Sequence, residues 1–182
     1  MKFLKKVAIL LIMATALFLI LALFVKKEFE VSRSITVEVP VDQAYDYLRL
    51  LQNQEYYFHP EQAGNRIKGS VSNTDGTVGA TYGWDSTSDL IGNGTETITL
   101  LEENKRIEFN LEYTEPREMT RVMFFSLQPN ENSATTSITW GIKGEISYPW
   151  NFLYIFKDVD AEHGPMLETG LEQIQLNLNE EE

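Results

Sequence analysis

From Val7 to Val25 the chain is apolar at every position except Thr15, and nothing else in the sequence limits its fate as strictly. As an α-helix rising about 1.5 Å per residue the run measures about 29 Å, against a bilayer hydrocarbon core of about 30 Å. A membrane span over residues 7–25 is therefore expected. Ala14-Thr15-Ala16 has the small-x-small form of a signal-peptide cleavage site. Cleavage there would leave Leu17–Val25 as an apolar new terminus, and a secretory apolar region is only about 7–15 residues long, so the expectation is an uncleaved anchor over 1–27. Lys2, Lys5 and Lys6 precede the run, Lys26 and Lys27 follow it, and Glu28 and Glu30 lie just beyond. This asymmetry puts the short N-terminus in the cytoplasm and the remainder outside it.

That remainder, 28–182, is read as one folded domain. The first 27 residues carry five lysines and no acid, so of the chain's 15 basic and 27 acidic groups the other 155 residues hold ten and 27, a net charge of −17. So acidic a body repels phosphate backbones, which argues against a nucleic-acid partner. The absence of cysteine excludes disulfides, thiolate metal sites, a thiol nucleophile and a lipidated cysteine.

Phe29, Val31, Ile35, Val37 and Val39 alternate with polar residues, with Arg33 in the same register, and predict a half-buried strand that starts about three residues after the apolar run. Pro40 and Asp42 signal a helix start, and Ala44, Tyr45, Leu48 and Leu51 share one helical face through about residue 52. Turn signals then recur at Asn73-Thr74-Asp75-Gly76, Gly92-Asn93-Gly94, Glu103-Asn104-Lys105, Glu115-Pro116-Arg117 and Pro129-Asn130-Glu131-Asn132. Between them lie about six antiparallel strands, clearest where Ile107, Phe109, Leu111 and Tyr113 alternate with Glu108, Asn110 and Glu112. A last helix is expected with Pro165 in its first turn and with Met166, Gly170, Ile174 and Leu178 along one face. The economical α+β solution is a curved antiparallel sheet wrapped around that C-terminal helix.

Several segments resemble the polyketide cyclase/dehydrase-like branch of the SRPBCC superfamily, the START and Bet v 1-like helix-grip proteins. They are Val31-Ser32-Arg33-Ser34-Ile35 leading to Val39-Pro40, Val78-Gly79-Ala80-Thr81-Tyr82-Gly83-Trp84, Ile91-Gly92-Asn93-Gly94-Thr95-Glu96, Thr139-Trp140 with Gly144, and Gly164 with Glu168-Thr169-Gly170-Leu171. The resemblance covers about residues 28–178 and implies a helix-grip fold preceded by a single anchor. Where such proteins tend to carry a tryptophan-rich stretch after the first helix, this chain has Glu55-Tyr56-Tyr57-Phe58-His59-Pro60.

Residues able to carry chemistry are sparse. His59 and His163 lie far apart with no second histidine near either, so no local metal-site spacing exists, and no metal or other cofactor is expected. There is no Gly-x-Ser-x-Gly elbow, and Gly92-Asn93-Gly94 reads as a hairpin or bulge. Asn93-Gly94-Thr95 is also formally a glycosylation acceptor. Glu102, Glu103, Glu108 and Glu112 fall on the wet faces of strands, whereas Glu96 stands beside small and hydroxylated residues as a candidate polar anchor inside a cavity. Arg33 is a second candidate anchor, with pairing to a carboxylate as the alternative.

Tyr82, Trp84, Ile98, Phe109, Tyr113, Phe125 and Trp140 come from several strands but share an inward register, and with Met166 and Gly170 they are the candidate ligand-binding set. Such residues either fill a core or line a mostly apolar pocket with a few polar tips, which suits a lipid or similar hydrophobic molecule. The leading expectation is a membrane-anchored binding module. A cyclase- or dehydratase-like enzyme using His59, Glu96 or Tyr113 is the alternative, and a tethered protein-interaction domain a third. Tyr148, Trp150, Phe152, Tyr154 and Phe156 crowd the approach to the last helix; they either close the core or face the lipid at the mouth of a cavity.

Overall fold

The computed structural model describes residues 2–58, 68–85, 92–115, 117–130 and 134–180. Of the sequence features above, His59, Pro60, Ile91, Pro116, Glu131 and Asn132 lie outside the described residues.

The N-terminal helix α1, Lys2–Ala22, is long and apolar enough to cross a membrane, and of its residues only Ala22 is buried. It ends three residues short of the apolar run. Leu23 and Phe24 close a last turn onto the carbonyls of Ile20 and Leu21, and the carbonyls of Ala22 and Val25 turn outward to a side chain from a distant segment.

Among the described residues seven antiparallel strands form one open sheet: β1 Glu28–Val37, β2 Lys68–Ser72, β3 Thr81–Asp85, β4 Asn93–Glu102, β5 Arg106–Glu115, β6 Met119–Pro129 and β7 Thr136–Glu145. Their spatial order is β1-β7-β6-β5-β4-β3-β2, so the first strand pairs with the last and the hairpins run back across the sheet to its other edge. β1 reads as its alternation predicts, with Val31 and Val37 buried and the intervening Glu30, Ser32, Ser34 and Thr36 exposed. The β4–β5 pairing slips at Asn93/Gly94 and again at Ile98/Leu100. Such irregularities bend a strand and sharpen its twist.

The helical region after β1 departs from the expected single helix. α2 spans Val41–Leu48 and stops; Leu50 is extended, and a short 3-10 helix restarts at Leu51–Tyr56. The restart has a cause in the β2–β3 turn, where the Asp75 carboxylate accepts hydrogen bonds from the backbone N–H groups of Leu51 (2.8 Å) and Gln52 (3.2 Å). It caps the new helix as an N-cap side chain would. The last helix, α3 Val159–Glu180, begins six residues before Pro165, which therefore stands inside the helix rather than near its start.

α3 buries Gly164, Leu167, Gly170, Leu171, Ile174 and Leu178 against the sheet. Gly170 is required by close approach: a Cβ there would lie 2.8 Å from the Tyr57 carbonyl oxygen and run into the Trp140 ring. Replacing a mid-helix glycine by alanine ordinarily favours the helix by about 1 kcal/mol. At Gly170 the backbone oxygen cannot yield, and Gly170→Ala is expected to destabilise the domain by about 1–3 kcal/mol instead. Urea denaturation of the full chain in detergent measures this, with Glu172→Ala on the exposed face of α3 as a near-neutral comparison.

Candidate functional site

The inward register of β4 presents Gly94, Glu96 and Ile98 to the interior, all buried. Glu96 lies directly across from Tyr82 on β3 and from Leu111 on β5, so these side chains share a face. Next to them, Gly94 stands between Trp84 and Tyr113, and the absence of a Cβ lets the two rings meet edge to face with centroids 5.4 Å apart. Further into the core Phe109, Phe125 and Trp140 pack with Tyr57; the Tyr57 ring centroid is 6.0 Å from Phe125 and 5.6 Å from Trp140.

Seven of the expected lining residues thus occur on one interior face. Trp84, Ile98, Phe109, Phe125 and Trp140 are buried, Tyr82 and Tyr113 are half-buried at its margin, and Met166 packs partly buried against the same core from α3. Gly170 does its work by admitting α3 against Trp140. Arg33 is spoken for. Its Nε donates to Glu168 (2.6 Å) and its two terminal nitrogens to Asp160 (2.9 and 2.7 Å), tying β1 to α3. Those bonds raise the Arg33 pKa and lower that of Asp160. His59 lies outside the described residues. His163 sits between the Phe29 ring, stacked at 5.6 Å, and Arg121, whose Nη1 is 3.0 Å from its Nε2; burial and then the guanidinium charge push its pKa down. Among the described residues no group of three His, Cys, Asp or Glu side chains converges as a metal site would.

The polar centre of the interior is Glu96. It is 1% exposed, and its Oε1 accepts a hydrogen bond from Gln54 Nε2 at 2.9 Å. Burial pushes its pKa up to about 8, with the Gln54 bond opposing the shift, so the carboxyl is predominantly neutral at pH 7. Burial likewise raises Tyr57, further raised by the nearby Glu96, and holds Tyr113 up at about 12. Among the described residues Glu96 Oε2, Gln54 Oε1, the Tyr57 hydroxyl and, on β7, Trp140 Nε1 are buried without a hydrogen-bond partner.

Gln54 and Tyr57 escape a reading based on the α-helical period. Leu51, Gln54 and Tyr57 are all buried and recur every third residue, the period at which side chains eclipse on a 3-10 helix. That spacing of three is the signal that finds them.

No protein-family model matches the chain, and no curated protein does. Solved structures share its fold. The Aha1 dimer from Colwellia psychrerythraea superposes with a TM-score of 0.57 at 15% identity, covering 83% of this chain and 96% of that one. Norcoclaurine synthase from Thalictrum flavum, in complex with dopamine and hydroxybenzaldehyde, gives 0.64 at 13% identity over 85% and 88%. A protein from Thermobifida fusca gives 0.60 at 12% over 82% and 92%. At these identities the likeness shows the fold alone: a curved antiparallel sheet wrapped around a long C-terminal helix.

The neutral Glu96 sets a pH dependence. Below about pH 4.5 the carboxyl is protonated in folded and unfolded chains alike; between there and about 8 only the unfolded chain ionises, so stability falls as pH rises across that window and levels off above it. The loss is on the order of a few kcal/mol. In Glu96→Gln that component disappears, so the variant is expected to gain on the parent chain as pH rises, which paired urea titrations at several pH values measure.

Proposed function

We propose that this chain is a membrane-anchored binding module whose interior, between the curved sheet and α3, takes a hydrophobic small molecule or lipid with a polar end. The anchor is α1, and the folded domain follows as 28–182, outside the cytoplasm. The observation that carries the reading is the set of polar atoms buried in a mostly apolar interior with no hydrogen-bond partner among the described residues. Each such atom costs about 1–3 kcal/mol when left unpaired, and folded proteins rarely tolerate several together without a water or ligand to satisfy them. Three of the groups donate: the Tyr57 hydroxyl, the Trp140 indole N–H and the neutral Glu96 carboxyl. Buried donors without partners suit a ligand whose polar end carries acceptor oxygens, such as a carbonyl, ester or hydroxyl. The neighbour solved with dopamine and hydroxybenzaldehyde is a further support, since it shows small molecules held by the same fold.

The same carboxyl favours a second reading. With a pKa of about 8, Glu96 is suited to give or take a proton near neutral pH, as a cyclase- or dehydratase-like enzyme on a hydrophobic substrate requires. Tyr113 stands close enough for Glu96 to influence its ionisation.

Tyr57→Phe separates an occupied interior from a merely imperfect core, because it removes only the partnerless hydroxyl. With nothing bound, the change is expected to leave stability unchanged or raise it. With a ligand hydrogen-bonded there, the co-purifying molecule is bound about three- to tenfold more weakly, the equivalent of one hydrogen bond. Native mass spectrometry of the full chain, released from membranes in mild detergent, reads both the bound mass and its loss. Absence of any exchangeable apolar molecule in the parent chain contradicts the reading.

A further inference from the structure

The segment leading into α3 packs on the membrane helix. Asn151, fully buried in the 3-10 helix Trp150–Ile155, donates through its Nδ2 to the carbonyls of Ala22 (2.7 Å) and Val25 (2.9 Å). The Ala22 carbonyl is one that a helix end leaves without an internal partner, and Val25 lies just past that end. One turn earlier the Tyr148 hydroxyl donates to the Leu19 carbonyl at 3.2 Å, and Phe152 meets Phe18 edge to face with ring centroids 4.9 Å apart. Phe29 and Tyr154 extend the contact to β1, with centroids at 5.8 Å. The domain is thus attached to α1 twice, by the chain through Lys27 and by this clamp.

The contact fixes depth. Phe18 lies four residues, about 6 Å along the axis, inside the end of α1 at Ala22, and the apolar run continues to Val25, whereas the headgroup layer on each side of a bilayer is only about 5–8 Å thick. Whatever touches Phe18 and Leu19 of a spanning α1 is therefore at or below the headgroup layer. The segment is built for that position. Its backbone N–H groups at Trp150, Phe152 and Phe156 are bonded locally to the carbonyls of Ser147, Pro149 and Leu153, which a lipid environment requires. Trp150 (63% exposed), Leu153, Ile155 and Phe156 (75% exposed) are open to the surroundings, as are Leu23 and Phe24 just past α1.

We infer that residues 148–156 form a second membrane contact, an interfacial wedge locked to the end of α1 by Asn151, which seats the domain in the outer headgroup layer in one orientation. The partner is a bilayer of zwitterionic phospholipid. Beyond residue 27 the chain carries a net charge of −17, which disfavours anionic headgroups. Aromatic side chains favour the interface, and the rest of the apolar face enters the acyl boundary beside them. This inference rests on the reading of α1 as a membrane anchor.

The chain has no cysteine, so single-cysteine labels report cleanly. A fluorophore is placed at Leu153→Cys, at Phe156→Cys and, as comparison, at Gln128→Cys, an exposed position near the opposite end of β6. The full-length chain is reconstituted in phosphatidylcholine liposomes carrying acyl-chain quenchers and washed at alkaline pH. Retention after the wash, with severalfold stronger quenching at 153 and 156 than at 128, supports the wedge. Retention with equal quenching at all three positions overturns the wedge and leaves the anchor standing, while release by the wash overturns both. In Asn151→Ala the quenching at 156 is expected to fall toward the value at 128; unchanged quenching overturns Asn151 as the lock.

Discussion

At Gly170 the backbone of α3 rests directly on the Trp140 indole and the Tyr57 carbonyl, and the packing of the interior depends on that close approach. Because no side chain intervenes, the helix approaches the sheet closely enough to bury Leu167, Leu171, Ile174 and Leu178, and the 3-10 helix carrying Gln54 and Tyr57 is held beneath it. That 3-10 helix in turn depends on Asp75 reaching from the β2–β3 turn to cap Leu51 and Gln52. Its position gives Glu96 a hydrogen-bond donor in Gln54 while leaving the second carboxyl oxygen open. Gly170 thus admits α3 onto the Trp140 ring and onto the backbone of the segment that brings Gln54 to Glu96.

The proposed attachment to the membrane follows the same economy. β1 starts after a short connection from α1, and Ile146, just past β7, donates to the Lys27 carbonyl at 2.9 Å, so one end of the β1–β7 pair stands over the helix terminus. Asn151 then bonds the carbonyls at that terminus from the other side of the connection. With two attachments instead of one flexible tether, the strands are oriented relative to α1 and the opposite end of the sheet is held away from it. In the proposed arrangement a hydrophobic ligand would meet a domain already seated against its source.

Much of this was legible in the alternation of apolar and polar residues. β1 and β5 follow the pattern because each has one face on the core and one on water, and Glu96 stood out because it lies beside small and hydroxylated residues, the structure adding that it shares an inward register with Ile98. Arg33 was open to two readings in the sequence, and only the arrival of Asp160 and Glu168 from a helix more than a hundred residues later decides for an ion pair. The break after α2 was not visible, because its cause is a carboxylate from another turn. Gln54 and Tyr57 were hidden by a period of three where a period of 3.6 was expected. Asn151 carried no local signal, since its partners are backbone carbonyls of a segment more than 120 residues earlier.

The central claim is that the polar atoms of the interior are there to meet a ligand, and an experimental structure of the full chain, purified from its membrane in mild detergent without delipidation, tests it most directly. The account predicts elongated non-protein density between the sheet and α3, with an oxygen within hydrogen-bond distance of Trp140 Nε1, the Tyr57 hydroxyl or Glu96 Oε2. A closed interior in which those atoms are satisfied only by one another or by ordered water would contradict it.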